Sequence, residues 1–127
     1  KEEAMKGKMN LFLAGLVLTV LGVFLMVEGA EAFCVYNKTD GQIEAVQISG
    51  GKFGRSFRQV IAPGDRECCS WKEKSCNKEG KKDSTVTFDV FYDHPGSQFL
   101  SQVCNKFPIR ADGQMTVIGN DLNYKCE

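Results

Sequence analysis

The sequence predicts an all-β fold: an antiparallel, Greek-key-like β-sandwich of about seven strands stapled by three disulfides, with a small β-barrel as the second choice. Three observations favour this fold class. Runs of alternating polar and apolar residues, separated by turns of Gly, Pro and Asp, recur roughly every ten residues after residue 32. No part of that region shows helical periodicity over ten residues. Its six cysteines are an even number, as a disulfide framework requires.

The first 32 residues have the three parts of a secretory signal peptide. A lysine-containing lead precedes an apolar run from Leu11 to Val27, and Ala30 and Ala32 supply the small-x-small pattern that a signal peptidase reads. We therefore predict a signal peptide over residues 1–32, cleavage after Ala32, and secretion of a single disulfide-rich β domain, residues 33–127. If it is not cleaved, the apolar run forms a helix of about 26 Å, slightly shorter than a ~30 Å hydrocarbon core, and anchors the domain outside the cytosol. We expect membrane contact through this segment only.

The predicted mature domain is nearly neutral, with 13 Lys and Arg against 12 Asp and Glu. A nucleic-acid-binding domain draws its affinity from excess positive charge that neutralises phosphates, so we predict no nucleic-acid partner. The same balance argues against a strongly cationic, membrane-lytic peptide.

The first two strand-like runs are residues 33–38 and 42–49. Between them, Asp40-Gly41 predicts a type I′ hairpin, because both central residues of that turn must accept positive φ. Gly50 ends the second run.

A third run, residues 52–61, carries aromatic residues at even intervals. Pro63 and Gly64 then predict a type II turn, since proline sets φ at its first central position and glycine accepts the left-handed second one. A short fourth run, residues 66–71, leads into a charged loop.

The clearest strand in the chain is STVTFDVFY, residues 84–92. Its β-branched and aromatic residues alternate strictly between two faces, which predicts a central strand. Residues 93–96 break it. The remaining elements are a run over 99–109, a second hairpin signal at 111–113, a run over 114–119 and a closing segment, 123–127.

All six cysteines follow the predicted cleavage site. The chain has no paired C-x2-C or Cys/His spacing and only one histidine, so we predict three disulfides and no metal site. Six cysteines allow fifteen pairings. Adjacent Cys68 and Cys69 on an extended chain point to opposite faces and should take different partners, and a bond between the two end cysteines would hold both termini. The preferred set is Cys34–Cys126, Cys68–Cys104 and Cys69–Cys76.

The best functional candidate is the charged loop from Trp71 to Asp83, which holds the only tryptophan and five lysines. Binding residues concentrate on loops of rigid scaffolds, and a disulfide lowers the cost of ordering such a loop. We predict a secreted, non-enzymatic binding or interaction protein, effector-like or cell-surface-associated, with an extracellular protein or glycan as its partner and no cofactor. The structural alternative is a tryptophan that caps the core and a merely solvated loop. The candidate ligand-binding residues are Trp71, Lys72, Lys74, Lys78, Lys81 and Lys82.

Three other functions remain open. Lys74 beside a cysteine resembles the basic residue that a stapled protease inhibitor offers. A membrane-active toxin is disfavoured by the near-neutral charge and the lack of an amphipathic helix. A small hydrolase around Asp89, Asp93 and His94 lacks any nucleophile signature such as G-x-S-x-G. We therefore predict no enzymatic activity.

Asn37-Lys38-Thr39 is an N-x-T sequon beside the first predicted turn. In a eukaryotic secretory pathway we predict glycosylation at Asn37. The alternative is a turn-side asparagine that only by chance precedes Lys-Thr.

As a pattern, residues 33–127 resemble the small secreted cysteine-rich proteins that fungi export, in size, signal peptide, even cysteine count and turn spacing. The stretch from Gly50 to Gly64, an aromatic run ending in Ala-Pro-Gly, is similar in style to thaumatin-like proteins. The chain departs from that family in being much shorter, in having far fewer cysteines and in showing no acidic-cleft motif. The resemblance implies an exported β-sandwich and assigns no functional residue.

Overall fold

The computed structural model of the protein describes residues 32–52, 56–120 and 122–127. These residues form eight strands in two four-stranded sheets and contain no helix, so no described helix could cross a membrane. The predicted all-β sandwich is confirmed, with one strand more than expected. The strands are β1 (Ala32–Thr39), β2 (Ile43–Ser49), β3 (Arg58–Ile61), β4 (Arg66–Ser70), β5 (Thr85–Asp93), β6 (Leu100–Arg110), β7 (Gln114–Asn120) and β8 (Asn123–Cys126).

The chain moves between the two sheets repeatedly. The first sheet has the strand order β4-β1-β7-β8 and the second has the order β3-β2-β5-β6. All paired strands are antiparallel except β1 and β7, which run parallel. Two parallel neighbours need a long crossover connection. Here the chain between β1 and β7 forms strands of the other sheet. The hairpins are β2–β3, β5–β6 and β7–β8.

The two Asp-Gly signals do not form the predicted hairpins. Asp40-Gly41 joins β1 to β2 and Asp112-Gly113 joins β6 to β7, and in both cases the joined strands lie in different sheets. An Asp-Gly pair favours a tight chain reversal, but burial of the apolar faces decides which strands pair. Gly41 also lies so close to the ring of Tyr92 that a side chain would not fit. Tertiary contacts therefore set this turn.

The turn between β3 and β4 has the predicted form. Gly64 has a φ of 81°, and the backbone nitrogen of Asp65 donates to the carbonyl of Ala62 at 3.1 Å. A positive φ at the second central position is the mark of a type II turn. This turn connects strands of two different sheets. Its own residues explain its form, without any pairing between β3 and β4.

The core lies between the sheets, and β5 lines it as its pattern predicts. Val86, Phe88, Val90 and Tyr92 are buried, whereas the alternating residues between them are not. Burial of apolar side chains is the dominant favourable term in folding, and β5 contributes one complete face to it.

Three phenylalanines meet at the centre of the core. The ring centroids of Phe33, Phe57 and Phe88 lie 5.1, 5.2 and 5.8 Å apart in edge-to-face contacts, which is a favourable geometry for aromatic pairs. Phe57 precedes β3, so the third predicted run is a strand only over its last four residues. Residues 53–55 of that run lie outside the described residues.

The structure corrects two of the three predicted disulfides. The predicted Cys34–Cys126 and Cys68–Cys104 bonds are wrong, while the third bond matches. Strand order is the reason, because β4 pairs with β1 and places Cys68 opposite Cys34 with Cα atoms 4.1 Å apart. Strand β7 separates β1 from β8, which carries Cys126. The two adjacent cysteines do take different partners. The observed bonds are Cys34–Cys68, Cys69–Cys76 and Cys104–Cys126.

The strand directions divide the connections between two ends of the sandwich. The β1–β2, β3–β4, β5–β6 and β7–β8 connections lie at one end, here called the distal end. The opposite, basal end carries the start of β1 and the β2–β3, β4–β5 and β6–β7 connections. Ala32 pairs with Ser70 there, so the predicted binding loop begins beside the start of β1.

Candidate functional site

The predicted binding loop, Trp71–Asp83, connects β4 to β5 at the basal end, and we call it the lysine loop. The bond between Cys69 and Cys76 attaches it to the end of β4, with Cα atoms 6.3 Å apart. The carbonyl of Cys76 accepts a hydrogen bond of 2.6 Å from Nε2 of Gln47, a buried residue of β2. The loop is therefore fastened to both sheets.

Asn77 organises the interior of the lysine loop. Its side chain is fully buried, and Nδ2 donates to the carbonyls of Trp71, at 2.9 Å, and Lys81, at 2.8 Å. Its backbone nitrogen donates to the carbonyl of Glu73 at 2.9 Å. These bonds hold the two ends of the loop together. Asn77 was not among the predicted residues, although asparagine is favoured where a side-chain amide replaces a backbone partner in a turn.

The charged groups of the loop remain in solvent. All five lysines are exposed. Because lysine presents a compact, strongly hydrated charge, these ammonium groups are available to an anionic partner on a backbone that is already ordered. Four of them make no ion pair with any described residue: Lys74, Lys78, Lys81 and Lys82.

Trp71 has a different position from the lysines. Its side chain is half-buried and packs against the hydrophobic core. The Nζ atom of Lys72 lies 5.5 Å from the centroid of its ring, a cation–π distance. The indole therefore serves the scaffold in part, and the lysines form the accessible portion of the predicted site.

Acidic residues reduce the positive charge of the lysine loop without cancelling it. Glu73, Glu79 and Asp83 stand against five lysines, which leaves an excess of two positive charges. Asp112, at the same end, is paired with Arg110 at 2.9 Å, and the hydrogen bond from Arg110 lowers the pKa of Asp112. The lysine loop thus carries a moderate excess of positive charge.

A shallow surface groove of about 490 Å³ borders the lysine loop. Ile48 and Phe57 contribute apolar lining, and Lys78 and Arg58 contribute cations. Arg58 is engaged by Glu44 at 2.5 Å, so Lys78 is the lining cation without an ion pair among the described residues. The groove extends the candidate site from the loop onto the second sheet.

The residues of the hydrolase alternative do not face one another across a cleft. Asp89 accepts a hydrogen bond from the backbone nitrogen of Lys106 at 2.9 Å, and Asp93 lies four residues along the same strand, about 13 Å away at the rise of a β-strand. His94 instead meets Ser101, with Nε2 and Oγ 2.7 Å apart. Within the described ranges, no group of three or more His, Cys, Asp or Glu side chains is placed to hold a metal ion.

The inhibitor alternative requires Lys74 on an extended segment, because partner proteins bind extended peptides through their main chain. Lys74 is exposed, but the backbone nitrogens of Cys76 and Asn77 both donate to the carbonyl of Glu73, at 3.1 and 2.9 Å. Lys74 therefore lies inside a tight turn. The geometry favours a charged surface over a protease-binding segment.

The folded domain has no room for the predicted glycan. Asn37 is fully buried, and its Nδ2 donates to the carbonyls of Gly41, at 2.8 Å, and Ile61, at 2.9 Å. Its Oδ1 accepts from the backbone nitrogen and hydroxyl of Thr39 at 2.9 and 2.7 Å. A glycan would replace a hydrogen of Nδ2 that is already bonded inside the protein. We therefore correct the prediction: Asn37 is a buried structural residue that ties the β1–β2 turn to β3.

An aromatic cluster holds the distal end together. The rings of Tyr92 and Tyr124 stack with centroids 4.4 Å apart, and both hydroxyls donate to Oδ1 of Asp40, at 2.9 and 3.1 Å. The neighbouring Tyr124 hydroxyl, burial and the Asp40 carboxylate together raise the pKa of Tyr92. The cluster joins β5, β8 and the β1–β2 turn, and no sequence motif marked it.

Comparison of the chain with protein-family models, with curated proteins and with solved structures gave no match in any of the three. The resemblance to exported fungal proteins therefore stays a prediction, and function has to be argued from the site itself.

Proposed function

We propose that the protein is a secreted, non-enzymatic binding module that recognises an anionic extracellular partner, a glycan or an acidic protein surface, through the lysine loop. The observation that supports this proposal is a loop with a fixed backbone and exposed charges. The Cys69–Cys76 bond and Asn77 order the loop, while its lysines stay in solvent. The three disulfides indicate an oxidising, extracellular-type environment.

The order of the loop favours binding. Because its backbone is already fixed, binding a partner restricts side chains but costs little backbone conformational entropy. Each exposed ion pair contributes only ~0.2–1 kcal/mol, so affinity must come from several lysines that contact one partner. At 0.1 M salt, exposed charges more than about 10 Å apart are largely screened from one another, and this distance shortens as the salt concentration rises. We therefore expect binding that weakens steeply as the salt concentration rises.

The test is retention of the secreted protein on a sulfated polysaccharide and on an acidic peptide, measured at increasing concentrations of NaCl. We expect a loop variant to lose about tenfold in affinity, as three lost ion pairs imply. A control variant with the same change in net charge, on exposed lysines elsewhere, should stay within about twofold of the natural protein. The loop variant is Lys74→Gln, Lys78→Gln and Lys81→Gln, and the control is Lys38→Gln, Lys106→Gln and Lys125→Gln.

Equal losses in the two variants would show that net charge alone drives retention, and the lysine loop would then have no special role. Absence of binding by the natural protein on both matrices, at low salt, would also contradict the proposal. A thermal melt of each variant shows whether the fold is intact.

A further inference from the structure

A second exposed surface lies at the distal end, opposite the lysine loop. Phe99, in the β5–β6 connection, and Leu122, in the β7–β8 connection, are each 79% exposed, and Leu100 is 47% exposed. Single exposed apolar residues are ordinary in soluble proteins. Here the two most exposed large apolar side chains among the described residues occupy two hairpin connections at the same end, which suggests an interaction surface.

These two hairpin tips are held at fixed positions. The backbone nitrogen of Phe99 donates to Oγ of Ser97 at 3.1 Å, and the backbone nitrogen of Ser97 donates to the carbonyl of His94 at 3.1 Å. The stacked rings of Tyr92 and Tyr124 join the strand before the first tip to the strand after the second. The strands that carry the two apolar tips are therefore in contact near the distal end.

The backbone at Leu122 adds an independent observation. Leu122 has a φ of 70°, in the left-handed region that glycine or asparagine adopts at lower cost. A bulky apolar residue at this position is unfavourable in two ways: its backbone is strained, and its apolar side chain is exposed to water. Violations of local preference of this kind concentrate at functional sites.

The chemistry around the tips indicates the partner. The sequence from His94 to Asn105 contains no Asp, Glu, Lys or Arg. Near the second tip, Asp121 adjoins Leu122 in the sequence. The acids Asp40 and Asp93 lie just behind the tips, at the ends of β1 and β5. We propose that the distal end docks on a zwitterionic lipid surface, with Phe99, Leu100 and Leu122 entering the interface and the carboxylates near the cationic part of choline headgroups.

This arrangement distinguishes the proposed partner from two others. Protruding apolar tips suit the interfacial zone of a bilayer, where apolar side chains enter and their polar neighbours stay hydrated. An anionic bilayer would repel the nearby carboxylates. Two distal ends that met in a dimer would bring the same carboxylates together, and like charges at close range are unfavourable. The proposal does not depend on the lysine loop, and it departs from the expectation that only residues 11–27 contact a membrane.

The experiment is flotation of the secreted protein with phosphatidylcholine vesicles, with and without phosphatidylserine. The Phe99→Gln/Leu122→Asn double variant should lose at least tenfold in partition, and asparagine suits the backbone at position 122. The Val60→Gln control removes another exposed apolar side chain, 55% exposed on β3, and should change partition less than twofold. Phosphatidylserine should not strengthen flotation of the lysine-loop variant, in which the cations that could bind an anionic surface are reduced.

A second readout locates the tip directly. The Phe99→Trp variant should gain fluorescence quenching by acyl-chain-brominated phosphatidylcholine, beyond that of Trp71 alone, and Val60→Trp should not. This readout applies whether or not residues 11–27 are retained. The lysine-loop variant should still float, and the double variant should still bind the polyanion, so the two proposals fail separately.

Three results would overturn the inference. The first is equal flotation of the natural protein and the double variant, and the second is no added quenching in Phe99→Trp. The third is a concentration-dependent dimer, seen by analytical ultracentrifugation, that the double variant abolishes without any vesicle binding; this surface would then belong to a second copy of the chain.

Discussion

Replacement of Asn37 by alanine should strongly destabilise the domain. Its amide makes four hydrogen bonds inside the protein: two donated to the carbonyls of Gly41 and Ile61, and two accepted from Thr39. They join the β1–β2 turn, in which the chain passes from the first sheet to the second, to the end of β3.

The size of the effect follows from these bonds. A typical intramolecular hydrogen bond contributes about 1 kcal/mol net, and a buried partner left unsatisfied costs ~1–3 kcal/mol. Once Asn37 is replaced, the single hydroxyl hydrogen of Thr39 is free to bond to the carbonyl of Gly41, 2.8 Å away, which limits the loss. We therefore expect Asn37→Ala to reduce the free energy of unfolding by about 3–4 kcal/mol, a large part of the ~5–15 kcal/mol of a typical domain.

Chemical denaturation of the secreted protein measures this change. Asn105→Ala is the matched control, because Asn105 is exposed on β6 and should change stability by less than about 0.5 kcal/mol. A loss below about 1 kcal/mol in Asn37→Ala would refute the hydrogen-bond argument. The natural protein, expressed through a glycosylating pathway, should show no mass shift with N-glycosidase. A glycan on Asn37 of natively disulfide-bonded protein would refute the assignment of a buried structural role.

Three further outcomes follow from the contacts. Asn77→Ala should cost about 2 kcal/mol and speed hydrogen exchange of the lysine-loop amides; unchanged exchange would show that the disulfide alone orders the loop. Removal of the Cys104–Cys126 bond by alanine at both positions should cost about 3 kcal/mol for a separation of 22 residues, and a denaturation midpoint equal to that of the natural protein would contradict this. The raised pKa of Tyr92 means that its contribution is fully present below the unfolded-state value of about 10 and is lost as the pH rises above it. Tyr92→Phe should therefore melt with a flatter alkaline pH dependence, and identical slopes would exclude this linkage.

The strand content was readable from local pattern because alternation depends only on one face being buried. The period-two arrangement of β5 and the Pro63-Gly64 turn both appear in the structure as predicted. The lysine loop was recognisable for a similar reason, since its charge density and flanking cysteines are features of composition and spacing. The hydrogen bonds of Asn77 inside the loop were not predictable in this way, because the sequence offered only the weak preference of asparagine for turns.

Strand pairing was not readable in the same way. Asp40-Gly41 predicts a reversal of the chain, yet β1 and β2 lie in different sheets, and their apolar residues are buried in the core between the two layers. The cysteine pairs also depend on strand pairing: Cys34 meets Cys68 only because β4 lies beside β1.

The sequence by itself determined the class of fold, the position of the turns, the even set of cysteines and the charged loop, all of which depend on residues near one another in the chain. Only the tertiary structure decided which strands are neighbours, which cysteines bond, that Asn37 is buried and that Phe99 and Leu122 share one end. Those properties depend on contacts between residues far apart in sequence, whose free energy comes from burying both partners at once, and no local pattern records which partner is chosen.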